Sequence, residues 1–306
     1  MQDAEKSMNL KKRKSIFSTD ALMPKILLLF AGISILTTIG IVVILLMESG
    51  KFFARVPIAE FLTGTEWTPL FEPPAYGVLP LIAGSLMITL IACIVAIPFG
   101  IGSAIYLSEY APQKVRNALK PILEILAGIP TIVYGFFAVT FVTPMIRYLL
   151  PQTDMFNALS AGIVVGIMIV PMISSLSEDA MAAVPQSLRN AAYALGSTKL
   201  ETAVKVVVPA AFSGIVASFV LGISRAIGET MIVTLAAGAM PNLSFNPLRS
   251  VETLTAYIVS GSSGDTTYGS VEYLTIYAVG ITLFVMTLAL NMIAGYISRK
   301  FREEYG

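Results

Sequence analysis

Arg225 and Glu229 are the two residues of this chain best placed to do chemistry, because both lie inside an apolar run. An ionised side chain inside a bilayer costs about 2.5–3.5 kcal/mol on insertion scales, so such residues usually serve a function. A guanidinium offers a planar fork of donors that suits an oxyanion. The pattern indicates an anion pathway, in which we also include the next residue, Thr230.

The spacing of four places Arg225 and Glu229 on one face, provided that the run is a continuous helix. One interpretation is a mutually satisfied ion pair that only stabilises the span. A hydrophobic pair would often be as stable as a buried ion pair, and this favours function. Glu229 would then hold Arg225 while the site is empty, or accept a proton from a protonated oxyanion.

A polar segment between two apolar runs predicts a docking element. Residues 187–195 predict a short helix that ends at Gly196, and residues 199–207 predict a second helix leading to Pro209. Small alanines on a short exposed helix would let a partner surface approach closely. The alternative is a helical hairpin that lies at the lipid headgroups.

Membrane helices must position these residues. The 306 residues are 56% hydrophobic and 13% charged, whereas soluble domains carry about 25% charged residues. Six apolar runs are long enough to cross a hydrocarbon core of about 30 Å, and they predict an all-α membrane protein with six transmembrane helices. The predicted spans are 26–47, 79–107, 122–146, 159–176, 210–239 and 273–297.

Basic residues alternate between the two ends of these spans. Fifteen of the twenty Lys and Arg fall on one side, four fall on the other, and Arg225 lies within a span. The positive-inside rule therefore places both termini in the cytoplasm. The predicted organisation is a disordered cytoplasmic tail (1–25), a first transmembrane helix (26–47), an extracytoplasmic loop (48–78), a core of five spans (79–297) with a cytoplasmic coupling segment (185–208), and a cytoplasmic tail (298–306).

Several function classes are excluded by residues that the chain lacks. It has no histidine and a single cysteine, Cys93, so we expect no imidazole base, no disulfide framework and no metal site. It has no phosphate-binding P-loop sequence, so ATP would have to bind to another chain. We expect no enzyme. A secondary transporter, with Arg225 and Glu229 in a proton-coupled route, remains an alternative that needs no ATPase.

The polar segment resembles the cytoplasmic signature of ATP-binding-cassette (ABC) importer permeases. That signature reads Glu-Ala-Ala, three residues, Gly, nine residues, then Ile, any residue and Leu-Pro. Here Asn190 replaces the Glu, and the spacing to Gly196 and Pro209 is the same. In the family this element is the coupling helix, which sits in a groove of the ATPase subunit. The resemblance implies that ATPase coupling involves Asn190, Ala191, Ala192, Tyr193, Leu195, Gly196 and Pro209.

The run 225–231 resembles the fifth-span motif of phosphate-specific ABC permeases of the PstC type. Residues 61–67, 76–80 and 126–137 agree with the same family. The resemblance implies a type I ABC importer permease fold and a role for Arg225 and Glu229 in the passage of inorganic phosphate. Importers of phosphonate, sulfate and molybdate share this architecture, so another oxyanion is the alternative.

The same resemblance implies a set of partners. These are a homologous second permease (PstA type), two copies of an ATPase (PstB type), an extracytoplasmic phosphate-binding protein (PstS type) and membrane lipids. ATP and Mg would lie on the ATPase, and we expect this chain to bind no cofactor and no nucleic acid. Its location would be the plasma (inner) membrane of a prokaryote, as a multi-pass protein.

Overall fold

The computed structural model describes the backbone of residues 19–264 and 266–300, and the side chains of residues 22–264 and 266–296. The described part of the chain is mostly helical. The predicted tails 1–25 and 298–306 lie largely outside the described residues, and α1 begins at Thr19. The helices are α1 (Thr19–Phe53), α2 (Ile58–Thr63), α3 (Leu79–Ile105), α4 (Gln113–Gly128), α5 (Thr131–Phe137), α6 (Thr143–Leu149), α7 (Ala158–Ala182), α8 (Gln186–Ala194), α9 (Lys199–Thr202), α10 (Val208–Ala210), α11 (Phe212–Ile227), α12 (Met231–Ala236), α13 (Leu254–Ser262) and α14 (Val271–Lys300).

Three π-helical segments connect these helices. Tyr106–Tyr110 continues α3, Ala138–Val142 joins α5 to α6, and Ala203–Val207 joins α9 to α10. Within the described ranges, five segments are long and apolar enough to cross a membrane, and the bent pair Lys199–Ala210 and Phe212–Ile227 makes a sixth if it is counted as one span. The all-α membrane fold with six spans is therefore confirmed. The five single segments are Leu22–Phe53, Leu79–Tyr110, Thr131–Leu149, Ala158–Ala182 and Val271–Tyr296.

The third span differs from its predicted bounds of 122–146. The apolar run is divided at Ile129, which is extended (φ −65°, ψ 130°). A residue before proline is disfavoured in the helical region, and Pro130 therefore separates α4 from α5. Residues before Ile129 belong to α4, an amphipathic helix with no buried residue, and the span itself begins at Thr131.

The fifth span, predicted over 210–239, is also not one straight helix. The chain turns by 73° between α10 and α11, at Ala211. Helix α11 then ends at Ile227, where Gly228 is its C-terminal cap. A separate short helix, α12, follows after two residues. A glycine lowers the barrier to leaving the helix, and Gly228 within an overlong apolar run therefore already indicates a local break.

The chain divides into two compact units, residues 1–47 and residues 48–306. The described part of the first is the apolar stretch of α1. In the second, α3 and α7 pack very closely. A Cβ atom built on Gly162 would lie 2.6 Å from the Cβ of Ile91, and one built on Gly166 would lie 2.8 Å from the Cβ of Val95. The two glycines therefore allow a helix contact that larger residues would prevent.

The segment predicted as a loop over 48–78 is a packed element. It contains α2, and the indole of Trp67 is buried with 1% exposure. The indole makes edge-to-face contacts with Phe61 (centroids 6.1 Å apart) and with Tyr257 of α13 (4.9 Å). Such aromatic pairs add to the stability that burial alone provides. Trp67 thus joins this segment to α13 as part of a hydrophobic core.

Candidate functional site

Arg225 lies in the last turn of α11, and its side chain is exposed. Its Nη2 is 3.5 Å from the Sδ of Met168 on α7. Among the described residues, no carboxylate oxygen lies within 4.0 Å of a nitrogen of its guanidinium. Its positive charge is therefore not neutralised by an ion pair in the described chain, and its donors can reach an anion.

The expectation that Glu229 shares a helix face with Arg225 is wrong. Helix α11 ends between them at Ile227, so their spacing of four positions does not place the two side chains on one face of a continuous helix. Glu229 is buried, with 8% exposure. Its Oε1 accepts hydrogen bonds from the backbone N–H groups of Met231 (3.1 Å) and Ile232 (3.2 Å). The carboxylate thus caps the beginning of α12, whose first N–H groups have no partner within the helix.

Hydrogen bonds fix the backbone around this break. The Oγ1 of Thr255 on α13 donates to the carbonyl of Glu229 at 2.7 Å. The Oγ1 of Thr230 donates to the carbonyl of Gly228 at 3.3 Å. At the preceding residue of α13, the Oγ of Ser85 on α3 accepts from the N–H of Leu254 at 3.0 Å. The break is therefore linked to α3 through α13.

A second acid, Glu252, lies beside this region and was missed because its sequence neighbourhood predicts an outer loop. Its side chain is 5% exposed, and its Oε1 accepts a hydrogen bond from the Oγ of Ser260 at 3.2 Å. Burial raises the pKa of Glu252 to about 7, although the Ser260 hydrogen bond lowers it. A Cβ built on Gly84 would lie 2.3 Å from the carbonyl oxygen of Glu252, so α3 passes directly against this backbone.

Helix α8 ends in a left-handed glycine. Gly196 has a φ of +84°, a conformation that is easy only for glycine. Its N–H donates to the carbonyl of Tyr193 at 3.0 Å, and the N–H of Ser197 donates to the carbonyl of Ala192 at 3.1 Å. This is a Schellman ending. Thr198 and Glu201 then form a capping box that begins α9.

The sequence-predicted coupling residues divide into an outward and an inward group. Ala192 is buried and faces the bundle, whereas Leu195 is 88% exposed. The exposed group is Asn190, Ala191, Tyr193, Leu195, Gly196 and Pro209. Leu200 on α9 adds a further exposed apolar side chain. An exposed apolar surface of this kind is typical of a protein contact.

Two buried ion-pair clusters lie near the same helices, and sequence reasoning missed both. Arg189 of α8 pairs with Glu109, 80 positions earlier. Glu178 of α7 is 1% exposed and pairs with Arg116 and, at 3.0 Å, with Lys120, both on α4. Hydrogen bonds with Asp179 and Glu178 raise the pKa of Lys120. No local spacing signals pairs that are so distant in the chain.

The chain belongs to the family described as "Binding-protein-dependent transport system inner membrane component", whose model matches residues 96–303. It is 41% identical to the "Probable ABC transporter permease protein YqgH" of Bacillus subtilis over 79% of this chain and 78% of that protein. It is 33% identical to the "Phosphate transport system permease protein PstC" of Xylella fastidiosa over 92% of this chain and 91% of that protein. The chain is thus an inner-membrane permease subunit.

Solved structures agree on the fold. A bacterial ABC transporter involved in the import of alginate is similar with a TM-score of 0.65, at 14% identity, over 93% of this chain and 97% of that chain. The MetNI methionine ABC transporter is similar with a TM-score of 0.55, at 17% identity, over 74% of this chain and 95% of that chain. The fold is that of the type I ABC importer permeases.

Proposed function

We propose that this chain is the transmembrane permease subunit of an ATP-driven importer of inorganic phosphate, in which it forms half of the translocation pathway. The observation that carries the proposal is Arg225, whose guanidinium has no carboxylate within ion-pair distance in the described chain and lies beside a break in its span. The relatives named as phosphate permeases support phosphate as the anion.

The proposed mechanism begins at an ATPase that is a separate chain and holds ATP and Mg. Closing of two ATPase copies displaces α8, which docks through its exposed face. The motion passes through Pro209 and the 73° turn into α11, whose other end carries Arg225. The pathway then opens outward, and an extracytoplasmic phosphate-binding protein of the PstS type releases phosphate into it. A second permease of the PstA type supplies the other half.

Glu229 has a defined place in this mechanism. A lone arginine in a low dielectric would bind a dianion tightly, whereas transport needs binding that is weak enough to release. Glu229 follows the break in the span, and its two backbone hydrogen bonds hold its carboxylate at the beginning of α12. Its negative charge weakens the attraction between Arg225 and phosphate, although the carboxylate forms no ion pair with the guanidinium.

The proposed location and orientation are supported by the distribution of basic residues. The coupling segment and both termini lie in the cytoplasm, and the aromatic cluster around Trp67 lies outside, on the side of the binding protein. The excess of Lys and Arg in the segments assigned to the cytoplasm supports this arrangement.

The test is ATP-dependent uptake of labelled phosphate into proteoliposomes that contain the complete complex. We expect Arg225→Gln to abolish uptake while the complex still assembles. The matched control is Arg249→Gln, because Arg249 is an exposed arginine paired with Asp154 at 3.2 Å, and we expect it to retain uptake. Normal uptake by Arg225→Gln would remove Arg225 from the mechanism.

Two further arms of the same experiment separate the alternatives. Competition by unlabelled phosphate but not by sulfate would support phosphate as the anion, and equal competition would indicate a broader oxyanion carrier. Omission of the ATPase should eliminate uptake. Uptake that persists without the ATPase would favour a proton-coupled secondary transporter that uses Arg225 and Glu229.

A further inference from the structure

A single buried arginine fastens α8 to the helix bundle. Arg189 is 7% exposed although it lies on a short surface helix. Its Nη2 is 2.9 Å from the Oε1 of Glu109, and its Nε is 3.3 Å from both carboxylate oxygens. The same guanidinium donates from Nη1 to the carbonyl of Val184 (2.5 Å) and from Nη2 to the carbonyl of Met181 (2.8 Å). Each of the three nitrogens of the guanidinium therefore donates a hydrogen bond.

These contacts join three elements at one point. Arg189 belongs to α8, Glu109 belongs to the π-helical continuation of α3, and the carbonyls of Met181 and Val184 lie at the end of α7. Carbonyls at a helix end lack partners within the helix, and a guanidinium satisfies them well. A shift of α8 relative to α3 or α7 would break these hydrogen bonds.

The chemistry of this contact favours a positioning role over simple stabilisation. A buried ion pair is often no more stable than a well-packed apolar pair of similar volume. A nearby pair in the same region, Lys205 with Glu201 at 3.4 Å, is exposed and connects only neighbouring turns. Arg189 and Glu109 instead join positions that are 80 residues apart, one on α8 and the other on the π-helical continuation of α3.

Helix α3 connects this contact to the region around Glu229. Ser85 near its beginning accepts the N–H of Leu254, and the next residue of α13, Thr255, donates to the carbonyl of Glu229. Ser85 and Glu109 are separated by 24 positions, or about 36 Å of helix. An unbroken series of direct contacts thus leads from Arg189 through α3 and α13 to the break beside Arg225.

We infer that Arg189 and Glu109 form a clamp that makes α8 and the end of α3 move as one body, so that displacement of α8 enters the pathway through α3 as well as through Pro209. This inference rests on the proposed function, because it assigns the route by which ATPase motion reaches the anion site. Arg189 and Glu109 are positioning residues, which touch neither the anion nor ATP.

The test compares Glu109→Gln, Arg189→Met and the double variant in the full complex, with Arg249→Gln/Asp154→Asn, an exposed ion pair outside the coupling segment, as the matched control. An unpaired buried charge should impair assembly in either single variant, and the double variant should restore it. We expect the assembled double variant to hydrolyse ATP yet to lose about tenfold in phosphate transported per ATP, a typical size for coupling between sites. The control should transport normally. A double variant that couples like the wild type would overturn the clamp.

A second readout does not depend on the transported anion. Spin labels at Ser187→Cys and Tyr106→Cys, with Cys93→Ser, report the distance from α8 to the end of α3. Labels at Ser187→Cys and Met292→Cys report movement of α8 relative to α14. Between the nucleotide-free and the ATP-plus-vanadate states, we expect the first distance to stay constant and the second to change. In the double variant both should change.

The outcomes separate the two proposals. No phosphate uptake by the wild-type complex, with a constant Ser187–Tyr106 distance, would refute phosphate import and leave the clamp in place. Normal uptake with a Ser187–Tyr106 distance that changes as much as the Ser187–Met292 distance would refute the clamp alone.

Discussion

Glu252 is a buried carboxyl whose titration should make the stability of the fold depend on pH. Its carboxyl is 5% exposed and accepts one hydrogen bond, from Ser260. Loss of hydration on burial raises its pKa from 4.5 to about 7. The folded chain therefore binds this proton more tightly than the unfolded chain does. The associated stability is complete below about pH 4.5 and is lost as the pH rises to about 7.

The size of the effect follows from the same two values. A rise from 4.5 to about 7 corresponds to about 3 kcal/mol of free energy of unfolding. For a chain of 306 residues this is about 5 °C in melting temperature. Glu252→Gln keeps the shape and the hydrogen bond but cannot ionise. We expect it to be more stable than the wild type by about this amount above pH 7, and to match it near pH 4.5.

The measurement is thermal unfolding of the detergent-solubilised chain across this pH range. Glu66→Gln serves as the control, because Glu66 is an exposed carboxyl, and it should follow the wild-type curve. Ser260→Ala should shift the loss of stability to higher pH, since the hydrogen bond that lowers the pKa of Glu252 is gone. Equal falls in melting temperature for wild type and Glu252→Gln would refute a buried carboxyl that titrates near neutrality.

Two further predictions concern the helix cap and the helix contact. Glu229→Ala removes the acceptor of two backbone N–H groups and should lower the free energy of unfolding by about 1–3 kcal/mol. Glu229→Gln should lower it clearly less in the same thermal assay, because its amide oxygen still accepts. Equal losses for the two variants would contradict the cap. Gly166→Val should lower the free energy of unfolding by about 1–3 kcal/mol, because a Cβ there lies 2.8 Å from that of Val95. Gly102→Val on α3 should be tolerated, because no atom lies within 4 Å of the added Cβ. Similar melting temperatures for the two variants would argue against the close contact of α3 with α7.

Features that depend on neighbouring residues were predictable from the sequence. The six apolar runs locate the spans because length and hydropathy are local properties. The end of α8 was predictable because Gly196 adopts the left-handed conformation that its residue type favours. Hydropathy does not predict the break at Pro130, because the apolar run continues across it.

Features that depend on distant parts of the chain were not predictable. The Glu229 side chain caps α12 only because α11 ends at Ile227, and periodicity carries on across that point. The partners of Arg189 are set by the packing of α3 and α7 against α8. Glu252 resembles any acid of an outer loop until Ser260 and α3 enclose it.

The two arginines of this region differ in how far their hydrogen-bond donors are satisfied within the described chain. Arg189 is buried and gives its donors to a carboxylate and two carbonyls, so no donor fork remains for an anion. Arg225 is exposed, and its one hydrogen bond in the described chain is a weak contact with a thioether. In the proposed mechanism, displacement of α8, which carries Arg189, changes the position of Arg225 at the end of α11. A lever that acts on an anion site requires one arginine whose donors are satisfied within the fold and a second arginine whose donors remain open to the anion.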